Sequence, residues 1–200
     1  MSSLANIELY AQKASSYDCF KEIELSKIKD RLADILSHLR DNGFFKEYTQ
    51  HDISHIDGML KILEYLIPDS TKKIMHPADW MMLVLSVYFH DYGMLVTQDE
   101  ISNRNSDDAF LEYKETYDGM DKLTITEDEL YENYVRIHHA DRICDWLNII
   151  AKEEECQPKY KVAIELLKGM LGNLDAKILK SLAMLCKSHQ QKMDEVFCLF

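Results

Sequence analysis

An all-α fold is what this 200-residue chain predicts, on three observations. Only 6 Gly and 3 Pro interrupt it, 46% of its residues are hydrophobic, and the hydrophobic positions recur mostly three or four apart, the period of an amphipathic helix. No segment longer than a few residues alternates with a strand period, and no repeat or low-complexity tract occurs. The length suits about one domain and allows a sizeable core.

Between Leu4 and Leu39 the apolar positions Ile23, Ile28, Leu32, Ile35, Leu36 and Leu39 predict a helix preceded by a shorter one, with Gly43 as its stop. His51 to Ile67 repeats the pattern through Ile56, Met59, Leu60, Leu63 and Leu66, and Pro68 ends it. Pro77 suits a first helical turn, and the almost wholly apolar run Trp80 to Phe89 predicts the central helix of the core. Thr97 to Met120 is polar and acidic and reads as a surface excursion or lid. Thr126 and Glu129 have capping-box spacing, so a long helix begins near Glu127. Shorter helices are expected at about 160–170 and 177–188. The chain closes on the apolar run Val196 to Phe200, which leads to the expectation of a fragment whose last helix continues in a longer parent protein.

Asp plus Glu total 35 against 23 Lys plus Arg, a formal net charge of -12. Non-specific attraction to an anionic membrane or a long phosphate backbone is therefore unfavourable, and a phosphorylated ligand needs local cations. The five Cys form no paired motif, no apolar run reaches the length of a membrane span, and the first residues do not resemble a leader. A cytoplasmic protein with no membrane association is the expectation.

The histidines carry the chemistry. His51 and His55 are four apart and share one helix face. His90-Asp91 closes the most apolar helix, placing an imidazole beside a hard carboxylate, a pair that suits a divalent cation. His138-His139 and His189 lie on two further predicted helices. Packed helices bring such clusters together. His38 and His76 read as surface and turn residues. Cys186, with no partner at metal spacing, reads as core packing.

In order along the chain, Tyr48-Thr49-Gln50-His51-Asp52-Ile53-Ser54-His55, Leu85 to Met94 around His90-Asp91-Tyr92-Gly93, Arg136-Ile137-His138-His139-Ala140-Asp141-Arg142, and Cys186-Lys187-Ser188-His189 resemble successive motifs of the HD superfamily of metal-dependent phosphohydrolases, closest to the HD-CE type. The resemblance implies an HD-domain helical bundle with a metal centre between core helices over residues 45–200, preceded by a helical extension at 1–44. It implies His55, His90 and Asp91 as the first metal ligands, His138 and His189 at a second cation with His139 as an alternate or neighbour, and catalytic roles for Asp91 and for His51, the latter as the proton donor to a leaving oxygen. The family's later Asp ligand has no convincing counterpart. Asp194 precedes the terminal apolar run, and in a fragment the ligand is expected after Phe200.

One or two divalent ions (Mn, Fe, Ni, Co, Zn or Mg) held in this way acidify water for attack on phosphorus. The expected enzyme is a metal-dependent phosphohydrolase or phosphodiesterase acting on a nucleotide, a cyclic nucleotide or a short nucleic acid. Arg136, Arg142 and Lys187 are the candidate phosphate contacts, and extended nucleic acid is disfavoured for lack of a basic stripe. The alternative is a non-catalytic metal- and nucleotide-binding module of a larger protein, joined to a further domain such as a GHKL-type ATPase in bacterial defence, or acting in an oligomer.

Overall fold

The computed structural model describes residues 4–41, 53–118 and 125–190. No strand occurs among them, and the all-α expectation holds. The helices are α1 (Asn6–Gln12), α2 (Leu25–Asp41), α3 (Ile53–Leu66), α4 (Asp69–Lys72), α5 (Pro77–Phe89), α6 (Gln98–Asn103), α7 (Asp108–Asp118), α8 (Glu127–Lys152), α9 (Lys161–Leu171) and α10 (Ala176–Ser188).

Helix α5 is central because nearly every face of it is apolar. Trp80, Met81, Val84, Leu85, Val87, Tyr88 and Phe89 are all buried. It starts at Pro77, whose missing N–H would be unpaired in a first turn anyway. Asp79 Oδ2 accepts from the backbone N–H of His76 at 2.7 Å and fixes that turn. Helices α1, α3 and α10 pack on α5, and α8 runs along α10. The N-terminal helices share this core: Ile7, Ala11, Phe20, Ile23, Leu25, Ile28 and Leu32 are buried in the same cluster as Leu85, Leu147 and Leu182. As expected, the longer helix α2 is preceded by a shorter one, α1, and two 3₁₀ turns (Lys13–Ser16 and Asp18–Phe20) join them. The turns let the chain fold back while Phe20 and Ile23 stay buried. Gly43 lies outside the described residues.

Helix α8 begins as expected. The Thr126 hydroxyl accepts from Glu129 N at 3.2 Å, and Glu129 Oε2 accepts from Thr126 N at 2.7 Å. It is buried on more than one side because it separates two apolar clusters. Ile143, Trp146 and Leu147 face the main core. Leu130, Tyr131, Tyr134 and Val135 face a smaller one built with Val96 and Phe110. That second cluster corrects the reading of 97–120 as a surface excursion or lid. Within it, residues 98–118 form α6, a short 3₁₀ turn and α7, and Phe110 and Glu100 are fully buried. Its acidic residues are partly used in ion pairs, as with Asp107 and Lys159 at 2.7 Å.

Candidate metal centre

Four imidazoles from four helices meet one carboxylate. His90, the residue after α5, places Nε2 at 2.8 Å from Asp91 Oδ2, and His55 of α3 places its own at 3.8 Å from the same oxygen. On the other side of the carboxylate, Oδ1 lies 3.1 Å from Nε2 of His139 on α8 and 3.9 Å from Nε2 of His189 at the end of α10. Two groups able to hold a cation result: His55, His90 and Asp91, and Asp91, His139 and His189. Asp91 belongs to both. His90 and His139 form the buried floor, while His55 and His189 are only partly covered at the rim, so the centre communicates with solvent.

Helical geometry fixes the tautomers. The Nδ1 atoms of His90, His139 and His189 each pair with the carbonyl three residues earlier, Val87 at 2.8 Å, Arg136 at 2.6 Å and Cys186 at 2.5 Å. A carbonyl only accepts, so each Nδ1 carries a proton, and Nε2 is the atom that the neutral ring can offer to a cation at the centre. His139 and His189 bring their Nε2 atoms to 2.8 Å. Two lone pairs that close repel unless a proton or cation lies against them, and mixed imidazole and carboxylate donors suit a transition metal. The donor set therefore fits a divalent ion. Burial, with the neighbouring His139 and His90 imidazoles, holds His189 below the usual histidine pKa, which keeps its lone pair available at neutral pH. Burial also disfavours a charged His90, but the hydrogen bond and charge of Asp91 outweigh it and raise that pKa.

The turn carrying Asp91 is clamped from behind. Arg142, one turn after His139 on α8, donates from Nε to Gly93 O at 2.7 Å and from Nη2 to Leu95 O at 2.9 Å. Its charge is balanced by fully buried Glu100, with Nη1 to Oε1 at 2.5 Å. This corrects the reading of Arg142 as a phosphate contact: it is buried and committed to backbone and Glu100. Gly93 permits the approach, since a Cβ there would lie 1.9 Å from the His139 carbonyl oxygen.

His138 is likewise corrected as a ligand. Its ring lies 4.9 Å from that of Tyr134 and 6.4 Å from that of Tyr113, and it belongs to neither ligand group. It lines a cleft of about 800 Å³ with Asp141 and Asp145, on a different face of α8. The physical reason is helical phase: adjacent residues point about 100° apart, so His138 and His139 cannot share one centre in an intact helix. The spacing held a signal. His139, Ile143 and Trp146 continue an apolar stripe, whereas His138, Asp141 and Asp145 continue a polar one.

Among the remaining candidates, Arg136 is exposed, with Nη2 at 3.4 Å from Asn133 Oδ1. Lys187 pairs with Asp141 at 2.7 Å. His51 and Asp194 lie outside the described residues. Sequence reasoning also missed Glu100 and a second fully buried carboxylate, Glu8, which accepts from the Tyr88 hydroxyl. Nothing in their local sequence separates them from surface acids. Among the described residues the Cys are free, and Cys186 is buried with its thiol pKa pushed up by that burial. No helix among them is long and apolar enough to cross a membrane.

An all-α bundle with a His-Asp pair at the end of its central helix and further imidazoles converging from other helices defines a protein of the HD type. The HD-CE family model matches residues 45–199, and the chain belongs to that family. The comparisons with curated proteins and with solved structures return no match.

Proposed function

We propose that this protein is a metal-dependent phosphohydrolase or phosphodiesterase whose substrate is a nucleotide, a cyclic nucleotide or a short oligonucleotide. The observation that carries the reading is the convergence of four Nε2 atoms within 3.9 Å of the two oxygens of one carboxylate, Asp91. His55, His90 and Asp91 would hold one divalent ion, and Asp91, His139 and His189 a second. Such ions, when bound, supply Lewis acidity toward a phosphoryl oxygen and bring the pKa of water from about 15.7 to about 7.

The chain's own contribution is orientation. Three backbone carbonyls hold three imidazoles in the ligating tautomer, and Arg142 holds the Asp91 turn against α8. Partly exposed His55 and His189 leave the rim open to a phosphate group. Arg136 and Lys187 are the cations proposed to meet it, and His51 is proposed to protonate the leaving oxygen. The net charge of -12 favours a small substrate over a long polyanion.

Purified protein given Mn2+, Fe2+, Ni2+, Co2+, Zn2+ or Mg2+ in turn, with a panel of nucleotides, cyclic nucleotides and oligonucleotides, is expected to release phosphate or open a phosphodiester. Asp91→Asn should lower that rate about a hundredfold or more while circular dichroism stays unchanged. A panel left intact with every metal overturns the proposal.

A further inference from the structure

We propose that Glu8, in the N-terminal segment ahead of the family match, is a positioning residue for the His55–His90 half of the metal centre. The inference rests on the metal reading above and extends it to a part of the chain that the family model does not cover.

Glu8 sits in α1, fully buried, and accepts from three donors: the Tyr88 hydroxyl, Lys29 Nζ at 3.2 Å and the backbone N–H of Ala5 at 2.5 Å. Lys29 is 2% exposed, and its ammonium also reaches Asp57 Oδ1 at 2.5 Å. The network thus joins four helices, α1, α2, α3 and α5. Two of its members flank the ligands: Asp57 lies two residues after His55 on α3, and Tyr88 two residues before His90 on α5.

Residues two apart on a helix point to different sides. Asp57 and Tyr88 therefore fix the rotation and separation of the two ligand-bearing helices. The imidazoles of His55 and His90 lie 5.7 Å apart, centroid to centroid. Tyr88 also walls, with Leu32 and Leu36, a hollow of about 20 Å³ beside His55, His90 and Asp91.

Charges this deeply buried admit few arrangements, because moving one partner leaves another unpaired at low dielectric. Glu8 is the acceptor common to Lys29 and Tyr88, and loss of its charge weakens both contacts. His139 and His189 gain no such support from Glu8. Their helices α8 and α10 pack on each other, and Arg142 with Glu100 provides the clamp there. The direct effect of Glu8 therefore falls on the His55–His90 half of the centre.

The test uses the full chain, titrated with Co2+ and followed by visible d–d absorption, with urea unfolding of each variant measured in parallel. Glu8→Gln is expected to weaken the Co2+ site containing His55 at least about tenfold and to change its spectrum. In a His55→Ala background, Glu8→Gln is expected to change neither further, the signature of coupling between the two residues. Ile164→Val, a core truncation in α9, should lower stability and leave affinity and spectrum alone. Tyr88→Phe removes one donor at nearly constant volume and should shift both readouts in the direction of Glu8→Gln, so it carries the test if that variant does not fold.

Parent-like affinity and spectrum in Glu8→Gln, or in Tyr88→Phe where Glu8→Gln does not fold, overturn the inference. So does equal weakening with and without His55, which marks a merely structural role. Failure of the parent protein to bind Co2+ overturns the metal reading, and this inference with it.

Discussion

His138 and His139 are neighbours in sequence and strangers in space. His139 faces Asp91 at 3.1 Å, and His138 packs against Tyr134. His139→Ala should therefore weaken the ion shared with His189 by about a hundredfold or more, whereas His138→Ala should leave ion affinity within about twofold. Isothermal titration with Mn2+ or Co2+ measures both. The glycines make a similar pair. At Gly93 a Cβ would lie 1.9 Å from the backbone oxygen of His139, an atom that cannot swing aside, while at Gly58 in α3 a Cβ would meet nothing within 4 Å. Gly93→Ala is expected to cost about 3 kcal/mol or more, and Gly58→Ala to stabilise by about 0.5–1 kcal/mol through helix propensity. Urea midpoints at constant slope report both signs.

Elements were legible in the sequence where one face had one job. Helix α5 follows from Pro77 and its apolar run, α9 and α10 follow from their apolar period, and the Thr126–Glu129 box marks the start of α8. The segment 97–120 was not legible, because its apolar residues are few and its burial depends on partners distant in sequence. Phe110 stacks edge-on against Tyr131 at 4.8 Å, and Glu100 meets Arg142. The choice between His138 and His139 was partly obscured for a related reason: α8 lies between two apolar clusters, so only the local stripe of His139, Ile143 and Trp146 marks the side that faces the centre. The same elements are joined at the start of α8, where Glu127 pairs with Lys114 of α7 at 2.6 Å and with Arg104 at 3.4 Å. The hydrogen bonds from Lys114 and then Arg104 lower the Glu127 carboxyl pKa. A carboxyl whose folded pKa is depressed stabilises the fold above its unfolded value and loses that contribution as pH falls through the folded one. Glu127→Gln should thus cost a small amount of stability at pH 7. The difference from the parent should shrink as pH falls below the ordinary carboxylate range, and also in high salt, because the pair is exposed. Urea unfolding from pH 7 to pH 3 checks the sign.

For the whole molecule, the segment ahead of the family match is part of the fold. Ile7, Ala11, Phe20, Ile23, Leu25, Ile28 and Leu32 are buried in the main core, and Glu8 and Lys29 are buried in its polar network. Burying one large apolar side chain contributes roughly 1.5–3 kcal/mol, and a domain's net stability is only about 5–15 kcal/mol. A chain beginning at residue 45 is therefore expected to lose cooperative unfolding, which urea denaturation followed by circular dichroism would reveal as a broad or absent transition. The ordered motifs His90-Asp91, His138-His139 and His189 announced a centre in the sequence. Its supports, Glu8 with Tyr88 and Arg142 with Gly93, emerge only from tertiary contact, since buried acids and bases look like surface charges until their partners are placed.

On the proposed function, Asp91 is the shared carboxylate of a metal centre between α3, α5, α8 and α10. Anomalous diffraction at the absorption edge of Mn or Co, from crystals of protein loaded with that ion, tests it most directly. A peak is expected in coordination contact with Asp91 and His90, with a second at His139 and His189 if two ions bind, and none at His138. An ordered ion held by His138 instead, or loaded crystals with no peak at Asp91, would contradict it.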